Sequence, residues 1–444
     1  MRIYKYFCNF APAMRQIISK ISSSPSFCNV GKLLSANVFA QAIGLLIYPI
    51  LTRMYAPEDF GLMNLFLSIG GILVLLSTSE YQSAVLLPSK ESEAAGVARV
   101  ALRLVGVWMA VIAITIPFSQ PIANLFKAQA LSTYYWLLVP YVGALGGWTI
   151  YNAWLTRRRA FGRVSAYQLN QSASGVLTKL LFGWAGWLRG GLILSSVVAP
   201  LIALGTSVGR SRDAFRALWQ RGEDSHAVLA NRYRRFPLYS MPRSLINNLS
   251  GNLPALLLTP CFGLNELGFF AMAMTLAFRP ISMITASLHQ VLFERVAHAV
   301  REGQSVWGWL SRRWWQMAAV VVATMALLTI VMPWLVRFLL GDGWGETATL
   351  IRYMMPWLTC VFLVAPLAFV SEVFGKQKLF LAVEIAYLAL RVCAMLAGIW
   401  MNSFAWAVIL MSTVGTVVLV FQLTCYISIL RKYESTRLTQ ASEQ

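Results

Sequence analysis

The sequence predicts an all-α polytopic membrane protein, with about twelve transmembrane helices in two six-helix lobes. Three observations carry that expectation. The chain of 444 residues is 58% hydrophobic and only 12% charged, against about 25% charged in soluble domains. Stretches such as Leu33–Leu51, Trp314–Val336 and Phe404–Leu430 are apolar on all sides, where a soluble core helix is apolar along one stripe. Lysines and arginines gather in the connectors between these runs.

The spans are expected at 33–52, 60–79, 100–118, 131–155, 165–187, 191–209, 239–260, 267–290, 314–336, 353–374, 379–401 and 404–430. The first presents Asn37, Gln41, Gly44, Tyr48 and Thr52 along one side. Ahead of the second, Pro57 suits the first turn of a helix, and Glu58 and Asp59 favour its N-terminal dipole. The fourth holds Trp148, Tyr151 and Trp154, and the fifth a polar stripe of Gln168, Gln171, Ser172, Gly175 and Lys179 at three- and four-residue steps. Along the seventh run Ser244, Asn248, Gly251, Ala255 and Thr259. In the eighth, LAFRPIS places Pro280 after Arg279, which frees the carbonyl of Leu276 and predicts a kink.

With the N-terminus inside, the cytoplasmic segments hold about 29 of the 37 Lys and Arg residues and the outer loops about 5. The net charge of +20 therefore reads as an orientation signal, with both termini cytoplasmic. No basic groove-reading motif accompanies it, so nucleic acid is excluded as a partner. Residues 1–32 read as a basic cytoplasmic tail, with Met14 an alternative start, because no signal-peptide pattern is present. The N-lobe is expected over 33–209, a basic cytoplasmic linker over 210–238, the C-lobe over 239–430 and a C-terminal tail over 431–444.

An internal repeat supports the two lobes. At an offset of about 207 positions, Gly44 meets Gly251, Thr52 meets Thr259, Tyr55 meets Phe262, Asp59 meets Glu266 and Gly61 meets Gly268. The polar island TRMYAPEDFG thus has a counterpart in TPCFGLNELG. Six helices per lobe give both lobes the same orientation, so the repeat is parallel. Residues shared by both copies are expected to shape the turn.

A charge at membrane depth costs roughly 2.5–3.5 kcal/mol on insertion scales, so Lys179, Arg279 and Arg391 require a wet, protein-lined cavity, a structural partner or, for Lys179, snorkelling to the outer surface. Arg391 lies two turns after Glu384, which makes an ion pair one reading and ligand binding the other. Cations facing a cavity suit an anionic passenger such as a diphosphate. Arg53 meets that anion at the outer mouth, anchors its own helix end at the interface or pairs with the nearby acids. Asn37, Gln41, Gln171 and Asn248 are the expected polar lining, with close helix packing as the alternative. Glu80 and Glu384 are the candidates for coupling to a proton or another ion.

The tryptophans, including Trp184 and Trp187, read first as an interfacial belt. Six cysteines, Cys8, Cys28, Cys261, Cys360, Cys393 and Cys425, show no Cys-x-x-Cys spacing, and His226, His289 and His298 match no ligand spacing. No metal, cofactor or catalytic constellation is expected.

The stretch LTRMYAPEDFGLMNLFLSI followed by SEYQSAVLLPSKESEA resembles the N-terminal block of the Wzx-type polysaccharide flippases of the MOP exporter superfamily. The resemblance rests on Thr52, Arg53, Tyr55, Pro57, Phe60 and Gly61, then on Tyr81, Ala84 and Pro88. It implies the MOP flippase fold in a bacterial inner membrane. It also implies alternating access that carries an undecaprenyl-diphosphate-linked oligosaccharide to the periplasmic leaflet for O-antigen, capsule or exopolysaccharide. A polysaccharide polymerase, a chain-length regulator and membrane lipid are the partners it implies, and Lys179, Arg279 and Arg391 match its cation-lined lumen by residue type. Three alternatives stand beside it: a polytopic polymerase or ligase, a drug exporter of the same superfamily, and a scaffold. The short outer loops disfavour the enzyme, the missing acid in the first span disfavours the drug exporter, and the buried cations and repeat disfavour the scaffold.

Overall fold

The computed structural model of the chain describes residues 44, 46–219 and 225–442. The expected tail over 1–32, most of the first span with Asn37 and Gln41, and Cys8 and Cys28 lie outside the described residues. All regular secondary structure among the described residues is helical. The long segments are α1 (Tyr48–Met54), α2 (Pro57–Thr78), α3 (Glu91–Thr115), α4 (Leu138–Arg157), α5 (Phe161–Trp184) and α6 (Leu188–Arg210). After the connector come α7 (Met241–Phe262), α8 (Leu264–Arg301), α9 (Trp307–Leu340), α10 (Gly345–Val364), α11 (Gln377–Trp400) and α12 (Phe404–Ser442).

Eight of these segments are long and apolar enough to cross a membrane: α2, α3, α6 and α8 to α12. The segments α4, α5 and α7 reach spanning length, with 20, 24 and 22 residues, but carry more polar side chains. Buried polar groups need partners, so such helices depend on what packs against them. In α5 the partner is α6: Thr178 and Ser195 share a hydroxyl bond of 2.7 Å, and Ser195 donates to the Gly175 carbonyl at 3.1 Å.

The chain forms two compact units. One comprises, among the described residues, those up to Ile47, Ile69–Ser119 and Thr133–Leu249, and the other Tyr48–Ser68, Gln120–Ser132 and Ser250 onward. In the second unit the repeated island is a packing junction. Pro57 occupies the first position of α2, and Asp59 Oδ2 accepts from the Ala56 N–H at 2.9 Å, which satisfies one of the four orphan donors at a helix start. Thr52 Oγ1 bonds back to the Tyr48 carbonyl at 3.0 Å, and its counterpart Thr259 does the same to Ala255.

The repeated glycines explain themselves in the same place. A Cβ on Gly61 would lie 1.9 Å from the Leu264 carbonyl oxygen, and one on Gly268 would lie 1.8 Å from the Pro57 oxygen. Pro57 and Leu264 are themselves repeat-related, so the contact is reciprocal: α2 and α8 cross backbone to backbone through equivalent residues. Only glycine permits that approach. Trp344 closes the junction, with its Nε1 donating to the Thr52 carbonyl at 3.2 Å and its ring edge-on to Phe60 and Phe269.

Two departures from the sequence expectation have simple causes. Pro280 is absorbed by a π-helical turn over Met274–Phe278, which loosens the hydrogen-bond ladder just ahead of the missing donor. At the C-terminus, α12 continues past the expected end at residue 430. Glu434 accepts from the Val306 and Trp307 N–H groups at 3.2 and 3.3 Å, and Arg437 donates to the Gly303 carbonyl. Two orphan donors at the start of α9 thereby find their acceptor in the extended helix.

The connector also folds. Its helices Arg212–Leu218 and His226–Arg232 pack on α3 in the first unit through Ala214, Leu218 and Leu229. Trp154 Nε1 donates to the Ala214 carbonyl at 2.9 Å, and Tyr151 to that of Ser211 at 3.3 Å. These two aromatics are core anchors, unlike the largely exposed Trp184 and Trp187, which suit an interfacial belt.

Replacing Gly61 or Gly268 with alanine is expected to destabilise the protein by about 1–3 kcal/mol or more, as overpacking does. Gly251→Ala, at a helical position with nothing within 4 Å of its Cβ among the described residues, leaves the thermal midpoint in detergent unchanged or raises it. Equal midpoints for all three variants would contradict the reciprocal contact.

Candidate functional site

Arg279 follows the π-helical turn within the 38-residue apolar helix Leu264–Arg301. Its side chain is exposed, and it has no ion-pair partner among the described residues. The neighbouring Phe278 ring stacks on Trp357 at 5.6 Å and 2°, which pins the turn from the other side. An unpaired guanidinium at such depth needs either solvent or an anion.

Arg391 is different. It is buried, and its Nη1 donates to the Ser250 carbonyl at 3.0 Å. That carbonyl is the one the helix ladder leaves free, because its i+4 partner is Pro254, which lies within α7 and has no N–H. The guanidinium therefore replaces a missing backbone donor. Its Nε remains without a partner among the described residues, so part of its donor capacity is unspent. Glu384 is exposed, and no ion pair joins it to Arg391 among the described residues; the two-turn spacing puts them on one face but at different depths.

In the first unit, Lys179 and Gln171 lie on the expected stripe of α5, both half-buried together with Gln168, Ser172 and Gly175. The adjoining face carries Ser174 and Thr178, which pack into α6. Asn248 is half-buried on α7, one turn before the exposed Gly251. Among the described residues, a Cβ at Gly251 would meet nothing within 4 Å.

The remaining candidates are engaged locally. Arg53 is exposed and donates to the Pro49 carbonyl at 3.0 Å, at the end of its own helix. Glu80 sits in a left-handed turn with Ser79 at φ 61° and 47°, and its carboxylate accepts from Gln82 and Ser83 at 3.0 Å each. Lys179 and Gln171 are thus brought to one helix face, while Arg279 and Arg391 occupy different helices in contrasting surroundings. Among the described residues, no group of three or more His, Cys, Asp or Glu side chains is placed to hold a metal ion.

Sequence reasoning missed Arg157. Its guanidinium donates to the carbonyls of Val85, Leu86 and Ser89, each at 3.3 Å, and so clamps the LPSK loop. The resemblance singles out Tyr81 but not its contact: its hydroxyl donates to the Ala230 carbonyl at 3.0 Å. A run of three arginines after an apolar span reads as orientation alone; nothing in it reveals carbonyls about seventy residues away.

The model of a family described as polysaccharide biosynthesis protein matches residues 50–349. The succinoglycan biosynthesis transport protein ExoT of Rhizobium meliloti (strain 1021) is 24% identical over 275 residues, 60% of this chain and 52% of ExoT. The chain thus spans about half the length of that relative. Among solved structures, the lipid II flippase MurJ in an inward closed conformation is similar with a TM-score of 0.73 at 10% identity, covering 92% of this chain and 91% of MurJ. An inward-facing multidrug resistance MATE family transporter of the MOP superfamily gives a TM-score of 0.64 at 14% identity, covering 92% and 99%. At such identities the likeness establishes the fold, an all-helical polytopic one, and no more.

Arg391→Leu is expected to destabilise the protein by about 1–3 kcal/mol, because it strands the Ser250 carbonyl in an apolar setting. Adding Pro254→Ala restores a backbone donor and recovers much of that loss. A double variant no more stable than Arg391→Leu alone would show that the guanidinium does not serve this carbonyl.

Proposed function

Starting from the premise that the chain belongs to the polysaccharide biosynthesis protein family and is a multi-pass membrane protein on the fold of the MOP superfamily, we propose that it is a flippase for lipid-linked oligosaccharide. In this reading it is a transporter and not an enzyme. Its substrate is an undecaprenyl-diphosphate-linked repeat unit, carried from the cytoplasmic to the periplasmic leaflet of a bacterial inner membrane by alternating access.

The observation that carries the proposal is Arg279, exposed and without an ion-pair partner among the described residues in the middle of an apolar helix. A diphosphate headgroup supplies the counter-charge that such a guanidinium otherwise lacks, through forked charge-assisted hydrogen bonds. Lys179, with the polar stripe through Gln171, adds a point charge and amide contacts. Arg391 contributes its unspent Nε, Asn248 adds an amide from α7, and Arg53 attends the outer end. Ion coupling falls to Glu384, which is exposed on α11, or to Glu80 if its local hydrogen bonds open during transport.

Loss of the protein is expected to trap single lipid-linked repeat units in the cytoplasmic leaflet, where membrane-impermeant sugar-modifying reagents do not reach them in intact cells. Single units accumulating on the outer face would mean a polymerase and would sink the transport reading. Arg279→Ala and Lys179→Ala, both at positions that are not fully buried, are expected to cut export roughly tenfold or more, the scale of a lost charge-assisted hydrogen bond. Normal export by the double variant at normal protein levels would remove these residues from the site.

A further inference from the structure

The connector end of α3 carries two arginines, Arg99 and Arg103, that form no ion pair among the described residues. Arg99 is only 9% exposed, and its Nε has no hydrogen-bond partner among the described residues. Its Nη2 lies 3.9 Å from where a Cβ on Gly96 would sit, beside the Leu229 side chain at 2.4 Å from the same point. The guanidinium is therefore folded back along α3, as helical side chains are, beneath the connector helix His226–Arg232. One turn further on, Arg103 adds a second, exposed guanidinium on the same face.

From the connector side, His226 stands three residues before Leu229 and so shares its α3-facing side. Its Nε2 is buried and also lacks a partner among the described residues. Burial, then the charges of Arg103 and Arg99, hold the imidazole below its usual pKa range. Among the described residues, the acids of this end of α3 are committed elsewhere. Glu91 pairs with Arg158 at 3.3 Å, and Glu93 takes both Arg232 at 2.6 Å and the Tyr233 hydroxyl at 3.1 Å.

The two guanidiniums repel one another beside a neutral imidazole in one half-dry recess, and a buried N–H left unbonded carries a desolvation penalty. A tetrahedral oxyanion relieves both at once: it takes a forked pair of bonds from an arginine, accepts from the second arginine and the imidazole, and neutralises the cluster. We propose that Arg99, Arg103 and His226 form a phosphate-binding site between α3 and the connector helix, filled by the phosphate of an anionic lipid headgroup or by free phosphate. The bound anion ties the connector to α3, reinforcing the apolar contact of Leu229 with Gly96.

The full-length protein is reconstituted in phosphatidylcholine nanodiscs, and its thermal midpoint is followed in two arms. One titrates potassium phosphate against potassium chloride at constant ionic strength, and the other replaces part of the phosphatidylcholine with phosphatidylglycerol. A midpoint rise in the first arm identifies free phosphate, and a rise in the second the lipid headgroup; either supports the site. Arg99→Gln is expected to weaken the apparent affinity about tenfold or more. Arg103→Gln, at an exposed position that spares the fold, weakens it severalfold, while Arg212→Gln on the neighbouring connector helix responds as the parent protein does. The proposal is overturned if neither probe raises the midpoint, if Arg103→Gln responds like the parent protein, or if Arg212→Gln loses as much as Arg103→Gln, which would mark diffuse attraction to a basic surface.

Discussion

Every backbone carbonyl at membrane depth must find a donor inside the protein, and this one requirement organises much of the structure. A helix satisfies it through its own ladder, and a proline within the helix removes one donor from that ladder. At Pro254 the freed Ser250 carbonyl is taken by Arg391 from a helix 141 positions away in sequence. At Pro280 the chain instead loosens into a π-helical turn, and Arg279 begins the helix beyond it. Two prolines therefore lead to two arginines with opposite characters, one spent on the fold and one still exposed. Intramembrane charge alone does not distinguish these roles; the proline four residues after the contacted carbonyl does.

Much of the architecture was legible in the sequence because it depends on local patterns. Apolar runs, connector charges and the parallel repeat led to long helical segments in the expected order, and Pro57 and Asp59 announced the start of α2. The paired glycines were legible as a repeat but not as a contact, since identity at matched positions does not say that the two copies touch. The site was less legible. Arg391 and Glu384 share a helical face, yet their environments differ because burial is set by neighbouring helices rather than by their own. Trp344 lies in a GDGWGE stretch that reads as a loop, and only the folded chain brings it to Thr52, Phe60 and Phe269.

The connector shows the same limit from the other side. Its composition is that of a basic linker, and residues such as Arg216 and Arg232 suggest only solubility and orientation. Folding gives it a core, because Leu218 and Leu229 are buried against α3 while Trp154 and Tyr151 bond to its backbone. Arg157 and Tyr81 hold the adjoining loop and connector by main-chain carbonyls, contacts that no side-chain pattern encodes. Regions of this end that look like plain charge in the sequence are thus built, and the arginines that remain unpaired there stand out against partners that are taken.

The glycine crossing of α2 and α8 has a consequence for how such a chain changes over time. Gly61 approaches Leu264 as Gly268 approaches Pro57, so each residue meets the counterpart of the residue that its own counterpart meets. That is the form of an isologous interface, the kind two identical subunits make about a two-fold axis, here preserved inside one polypeptide. The two copies are consequently not free to drift apart at this point: a side chain gained by either glycine is felt by both helices, and the crossing keeps the imprint of a symmetric pair after the surrounding sequences have diverged.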